Sequence, residues 1–202
     1  MLGYKMGSPA IFSLVLLHAC GPPGLLDEGE LRAYVLNPSN GLTISRSQEN
    51  VQVRVSYHPT GLLLASDLGS ADLVEQQKLY EGYHYFLISL SKEGKELLYN
   101  EQGDFSNRLR TLAFNMSKYL NLTTSQADTI PVADYTFPRT FGMSGATQLL
   151  VVFDRSKTKE KDWVQLNMNE FGFGIGNQRF RFRVKDLENA PGLKIDYIQN
   201  RN

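Results

Sequence analysis

An all-β fold, an antiparallel β-sandwich or open barrel with at most one or two short helices, is what this sequence predicts. Three observations predict it. Apolar and polar residues alternate in stretches such as Val51–Tyr57 and 164–169. Turn signals built from Gly, Pro, Asn and Asp punctuate the chain at short intervals. Few windows hold the helical period of about 3.6 residues long enough to make a helix.

The elements follow in chain order. Residues 21–29 are rich in Gly and Pro, carry no period, and read as the body of a tether over 20–30. Leu31–Leu36 predicts a first strand, Asn40-Gly41 a turn, and Leu42–Ser45 the returning strand. In 51–57, Val51, Val53, Val55 and Tyr57 alternate with Gln52, Arg54 and Ser56, which buries one face. His58-Pro59-Thr60-Gly61 ends that strand, and Leu62–Leu64 begins another apolar piece. Ser70–Tyr80 is the best helix, with Ser70 as a cap. Tyr85–Ser91 predicts a buried strand ended by Glu93-Gly94, with Lys95–Tyr99 completing a hairpin. Segment 108–122 fits two periods. Leu109, Leu112, Met116 and Leu120 keep helical spacing, whereas Leu112, Phe114 and Met116 keep strand spacing. Only a strand places Phe114 inside, and the flanking strands favour that reading. Residues 128–145 predict a long ordered loop with one short strand, and Gln148–Asp154 a buried strand. Val164, Leu166 and Met168 alternate with polar residues, Phe171–Gly176 turns the chain, and Arg179–Lys185 returns as a strand. From Asn189 onward the chain reads as peripheral.

The chain has 202 residues, of which 42% are hydrophobic and 21% charged, enough apolar content for one packed core. Twenty-one basic residues balance twenty-one acidic ones. That balance lacks the basic footprint of a nucleic-acid partner, so none is expected.

The N-terminus sets the address. Lys5 precedes a run from Ala10 to Leu17 that is apolar except for Ser13. Such a run of about 7–15 residues after a basic start is the pattern of a secretory signal. It falls short of the roughly 20 residues that span a bilayer, and Gly21-Pro22-Pro23-Gly24 would break any helical continuation. Cys20 is the sole cysteine. Leu17-His18-Ala19-Cys20 resembles the lipobox of bacterial lipoproteins. The resemblance implies cleavage after residue 19, lipid on Cys20, and acylation of the new amino terminus. It implies a lipid-anchored place in the cell envelope, with the outer membrane favoured because Gly21 follows the cysteine. Several acyl chains make attachment long-lived, whereas one chain binds only marginally. The expected organisation is a signal over 1–19, a lipidated tether over 20–30, and one β-sandwich-like domain over 31–202.

Candidate chemistry is sparse. With His18 in the signal, only His58 and His84 remain, and zinc normally needs three or four ligands. No metal and no cofactor is expected. Gly142-Met143-Ser144-Gly145 lacks the spacing of a nucleophile elbow, so Ser144 reads as part of a turn. Phe171–Asn177, FGFGIGN, lacks the dinucleotide fingerprint and reads as a glycine-rich hairpin. Asp154 and Glu170 are candidate acid and base for glycoside cleavage, though carboxylates are scattered through the chain. No catalytic residue is assigned.

The one patterned surface is RFRFRVK. Phe180, Phe182 and Val184 face the core in this reading, while Arg179, Arg181, Arg183 and Lys185 line the other side about 6.8 Å apart. Such a row either pairs with acids on adjacent strands or docks an anion. Tyr135, Phe137 and Phe141 would flank that dock if exposed, or else join the core. Two functions follow. The first is a non-enzymatic binding or assembly module, anchored by lipid on Cys20, with an anionic glycan or protein partner. The second is an envelope or extracellular hydrolase acting on glycan, for which two carboxylates about 5–10 Å apart in a polar cleft would speak.

Overall fold

The computed structural model describes residues 24–66, 73–100 and 104–194. The signal-like segment, Cys20 and the Ser70 cap therefore lie outside the described residues. The fold is β-rich, as expected, and consists of two antiparallel sheets.

The larger sheet runs β1 (Thr43–Gln48), β2 (Val51–Tyr57), β3 (Tyr83–Lys92), β8 (Thr147–Asp154), β7 (Asp134–Thr136), with β4 (Lys95–Glu96) paired to β3. The smaller sheet runs β10 (Gln178–Arg183), β9 (Trp163–Met168), β5 (Leu120–Thr124), β6 (Thr129–Pro131). Alternation decides what each strand buries. Val53, Ile88 and Val151 face inward from the larger sheet, and Phe180, Leu166 and Leu122 meet them from the smaller one. The rings of Phe86 and Phe182 lie 5.2 Å apart across this interface. At one edge β1 approaches β10, where Gln178 donates from Nε2 to Gln48 Oε1 at 2.8 Å.

Helices are more numerous than the sequence suggested. They are α1 (Glu28–Leu36), α2 (Thr60–Ser66), α3 (Leu73–Glu81), α4 (Leu97–Asn100), α5 (Phe105–Phe114) and α6 (Val184–Glu188). Leu31–Leu36, expected as a strand, belongs to α1. Asp27 and Glu30 form a capping box that starts the helix, and Leu31 and Val35 then share its buried face. The Asn40-Gly41 turn is present, with Gly41 at φ 72°, but it joins α1 to β1. The hairpin partner of β2 is β1, through Glu49 and Asn50, both at positive φ. Most of segment 108–122 is likewise helical rather than extended. Asp104 accepts from the Asn107 N–H to cap α5, which buries Leu112 and leaves Phe114 outside. Leu62–Leu64 lies in α2, and Lys95–Tyr99 is split between β4 and α4.

Two ends are better anchored than the sequence implied. Leu26, placed in the tether, bridges Leu193 in parallel, and the Lys194 N–H donates to the Leu26 carbonyl at 2.8 Å. Leu193 is buried, so residues up to 194 pack rather than fray.

Phe86 contacts Tyr57, His84, Phe153 and Phe182. Its truncation in Phe86→Ala should lower unfolding free energy by about 3–5 kcal/mol. Chemical denaturation measures this, and a loss below about 1 kcal/mol would mean the sheets do not close on this ring.

Candidate functional site

The arginine row meets its expectation only in part. Along β10 burial alternates, with Phe180 and Phe182 inside and Arg179, Arg181 and Arg183 outside. Lys185 does not continue the row, because the strand ends at Arg183 and Lys185 lies in α6. Arg183 is paired with Asp186 at 2.7 Å. Arg181 stacks on Trp163, with its guanidinium carbon 4.0 Å from the ring centroid. The Arg179 side chain has no partner among the described residues. Arg46 joins from β1, donating from Nε to the Arg179 carbonyl at 3.0 Å and lying over the Phe180 ring.

Antiparallel register builds a polar lattice beside these arginines. Arg181, Gln165 and Thr123 stand in one row across β10, β9 and β5, and Arg179, Asn167 and Asn121 stand in the next. Arg181 Nη2 donates to Gln165 Oε1 at 3.0 Å. Gln165 Nε2 donates to Asn167 Oδ1 at 2.8 Å. Asn167 Nδ2 donates to Asn121 Oδ1 at 2.8 Å and to Thr123 Oγ1 at 3.2 Å. The chain fixes which end of each carboxamide is donor and which is acceptor. A hollow of about 340 Å³ lies over this lattice, rimmed further by Asn169, Asn177 and Arg179. The alternation of 164–169 was visible in the sequence. That 120–124 pairs with it and adds Asn121 and Thr123 was not.

The other sequence candidates scatter. Glu170 is occupied at the mouth of the β9–β10 loop: Oε1 accepts from the N–H groups of Gly172, Phe173 and Gly174, and Oε2 from Gly176. Burial opposes its ionisation, yet these four donors outweigh that and hold the carboxyl below its usual value. FGFGIGN is therefore a nest whose anion is the chain's own carboxylate. Asp154 accepts from the Ser156 N–H and hydroxyl at the end of β8. Ser144 Oγ accepts from the Ala146 N–H within its turn. Tyr135 and Phe137 pack against the core, and the exposed Phe141 lies under Arg139. Tyr135 stands on β7, which ends the larger sheet away from β1 and β10, so these aromatics do not flank the arginines.

The histidines serve different places. His84, expected at a strand start, is fully enclosed on the core side of β3. Thr158 Oγ1 donates to the Arg155 carbonyl and lies 2.7 Å from His84 Nε2. That assigns the proton to Nε2 and leaves Nδ1 as a buried acceptor without a partner among the described residues. Burial first, and the Arg155 charge second, push its pKa down to about 3. His58 is half-buried beside Arg32, and burial followed by that charge lowers it to about 4. No group of three or more His, Cys, Asp or Glu side chains suited to a metal occurs among the described residues. Nor is any described helix long and apolar enough to cross a membrane.

No family model and no curated protein matches the chain. A solved chain from Burkholderia pseudomallei, described as a novel protein of unknown function, is similar at a TM-score of 0.44 and 10% identity. The match covers 82% of this chain and 94% of that one.

Unfolded, both imidazoles take a proton near their ordinary value of 6.5, while folded they resist protonation until about 4 and about 3. Between these limits the unfolded chain binds more protons, so stability falls as pH drops below 6.5. His84→Phe removes one such proton. Its denaturation midpoint should fall less than the wild type's between about pH 7 and about pH 4.5. Equal falls would place the acid sensitivity elsewhere.

Proposed function

We propose that this chain is a lipid-anchored binding module of a bacterial cell envelope, held by acyl chains on Cys20, with the outer membrane as the favoured location. Its outward four-stranded face takes a hydroxyl-rich, acidic glycan. The anchor rests on the apolar run before Leu17-His18-Ala19-Cys20 and on the lack of any other cysteine. The binding role is carried by one observation: the hydrogen-bonded chain from Arg181 through Gln165 and Asn167 to Asn121 and Thr123.

Carboxamides offer a donor and an acceptor a fixed distance apart, which suits vicinal sugar hydroxyls. Arg179 and Arg181 supply the fork that recognises a carboxylate or phosphate on the sugar. Because the lattice is already ordered, a ligand does not have to freeze it, and less binding energy is lost to side-chain entropy. The hydrolase alternative gains nothing from Asp154 and Glu170, since both carboxylates are engaged in local hydrogen bonds.

Two measurements test this reading. In fractionated cells, Cys20→Ala should move from the membrane to the soluble fraction, and retention in the membrane would count against the anchor. With purified full chain, Arg181→Ser combined with Asn167→Ala should weaken capture of lipopolysaccharide or soluble peptidoglycan fragments by about tenfold or more. Lys185→Ser, off the strand, should leave capture unchanged. Undiminished capture by the double variant would reduce the lattice to solvated surface.

A further inference from the structure

The opposite outer face, on the larger sheet, carries a guanidinium that no described residue balances. Arg54 is half-buried on β2 and makes no hydrogen bond or ion pair with any described residue. In register it stands between Ser45 of β1 and Ser89 of β3, and Ser89 stands beside Gln148 of β8. Two depressions meet at these residues. One, of about 220 Å³, lies under α1 and α2; the other, of about 320 Å³, reaches the turn at 144–146. Arg54, Ser89 and Gln148 line both, so together they form one groove. From Gln52 to Ser56 it follows β2 for about 14 Å, at about 3.4 Å per residue.

The two halves differ in chemistry. Toward α1 the walls are Val35, Leu36, Leu62 and Leu87. Leu36 is 51% exposed there, unusual for a leucine at the end of a helix that otherwise buries its apolar side. Toward the far turn the walls are Gln52, Ser91 and Ser144. Among the described residues, no carboxylate lines either half. The acids nearby are engaged elsewhere: Glu28 pairs with Arg32 at 2.8 Å, and Glu96 Oε1 accepts from the Thr140 hydroxyl and the Ser144 N–H. His58 at the apolar end is held neutral near pH 7, and Arg32, which also lines that end, is already paired with Glu28.

A half-desolvated cation without a counterion is an unfavourable arrangement for a folded chain to keep. An anionic ligand removes the penalty, and the groove's chemistry says which kind. We propose that this groove binds an amphipathic organic acid. Its carboxylate sits on Arg54, its apolar body lies against Leu36, Leu62 and Leu87, and a polar group reaches Ser91 and Ser144. The site is independent of the lattice on the smaller sheet, since it uses other residues on the other sheet.

The test is calorimetric titration of the full chain with N-acetyl-L-phenylalanine, its neutral amide, acetate and inorganic phosphate. The acid should bind; the amide, lacking the charge, and acetate, lacking the apolar body, should bind at least tenfold more weakly. Arg54→Gln should abolish binding of the acid, Arg54→Lys should retain part of it, and Arg181→Ser should leave it intact. Circular dichroism and the thermal midpoint establish that the Arg54 variants fold. Any of four results would overturn the proposal: no binding of the acid, equal binding of acid and amide, full binding by folded Arg54→Gln, or phosphate binding as tightly as the acid.

Discussion

Phe86 stands where the two sheets press together. Its ring meets Phe182 from the smaller sheet and Phe153 from the neighbouring strand of its own, with Tyr57 and His84 at its sides. Few other arrangements satisfy so many apolar side chains at once, because strands bury only every second residue. Once Phe86 is inward, Leu87 and Ser89 must be outward. Once Phe182 is inward, Arg181 and Arg183 must be outward. The chemistry of both outer faces is thus a consequence of how the core closes.

Those faces have diverged. The smaller sheet presents carboxamides and guanidiniums that hydrogen-bond to one another across three strands. The larger sheet presents serines around a lone arginine, with helices α1 and α2 walling one end. Where an anion-cradling loop does exist, between β9 and β10, the molecule fills it with Glu170. The same residue's N–H donates to Oδ1 of Asn177, which stands at the rim of the carboxamide hollow. His84 belongs to the same economy of burial. An imidazole among aromatic rings persists because its Nε2–H donates a hydrogen bond to the Thr158 hydroxyl oxygen, while its other nitrogen has no partner among the described residues.

Much of the strand framework was legible. Val51–Tyr57, Tyr85–Ser91, Gln148–Asp154 and 164–168 carry a period of two or an unbroken apolar run, and each lies in a strand. The helices hid because their apolar residues fit two periods. Leu31 and Val35 are also consistent with an extended segment, and only the Asp27–Glu30 capping box separates the readings. In α5, Phe114 misled: it is 78% exposed, and a large apolar ring outside the core is what pattern reasoning least expects. Of the candidate site, the outward arginines were legible because alternation is local. Arg183's partner Asp186 was hidden because the strand stops and α6 turns that carboxylate back. Arg46 and Asn121 were hidden because they arrive from strands distant in sequence.

By itself the sequence determined the class of fold and the side of each strand that faces outward, since hydrophobic alternation acts between residues two apart. It also carries the N-terminal apolar run and the single cysteine on which the proposed anchor rests, features of the linear chain rather than of its folding. Only the tertiary structure decided which strands are neighbours. That choice depends on matching whole buried faces across the sandwich, and no window of sequence contains it. With it came the row from Arg181 to Thr123 and the approach of Arg46 to the Arg179 carbonyl, each of them a contact between residues that the chain alone keeps apart.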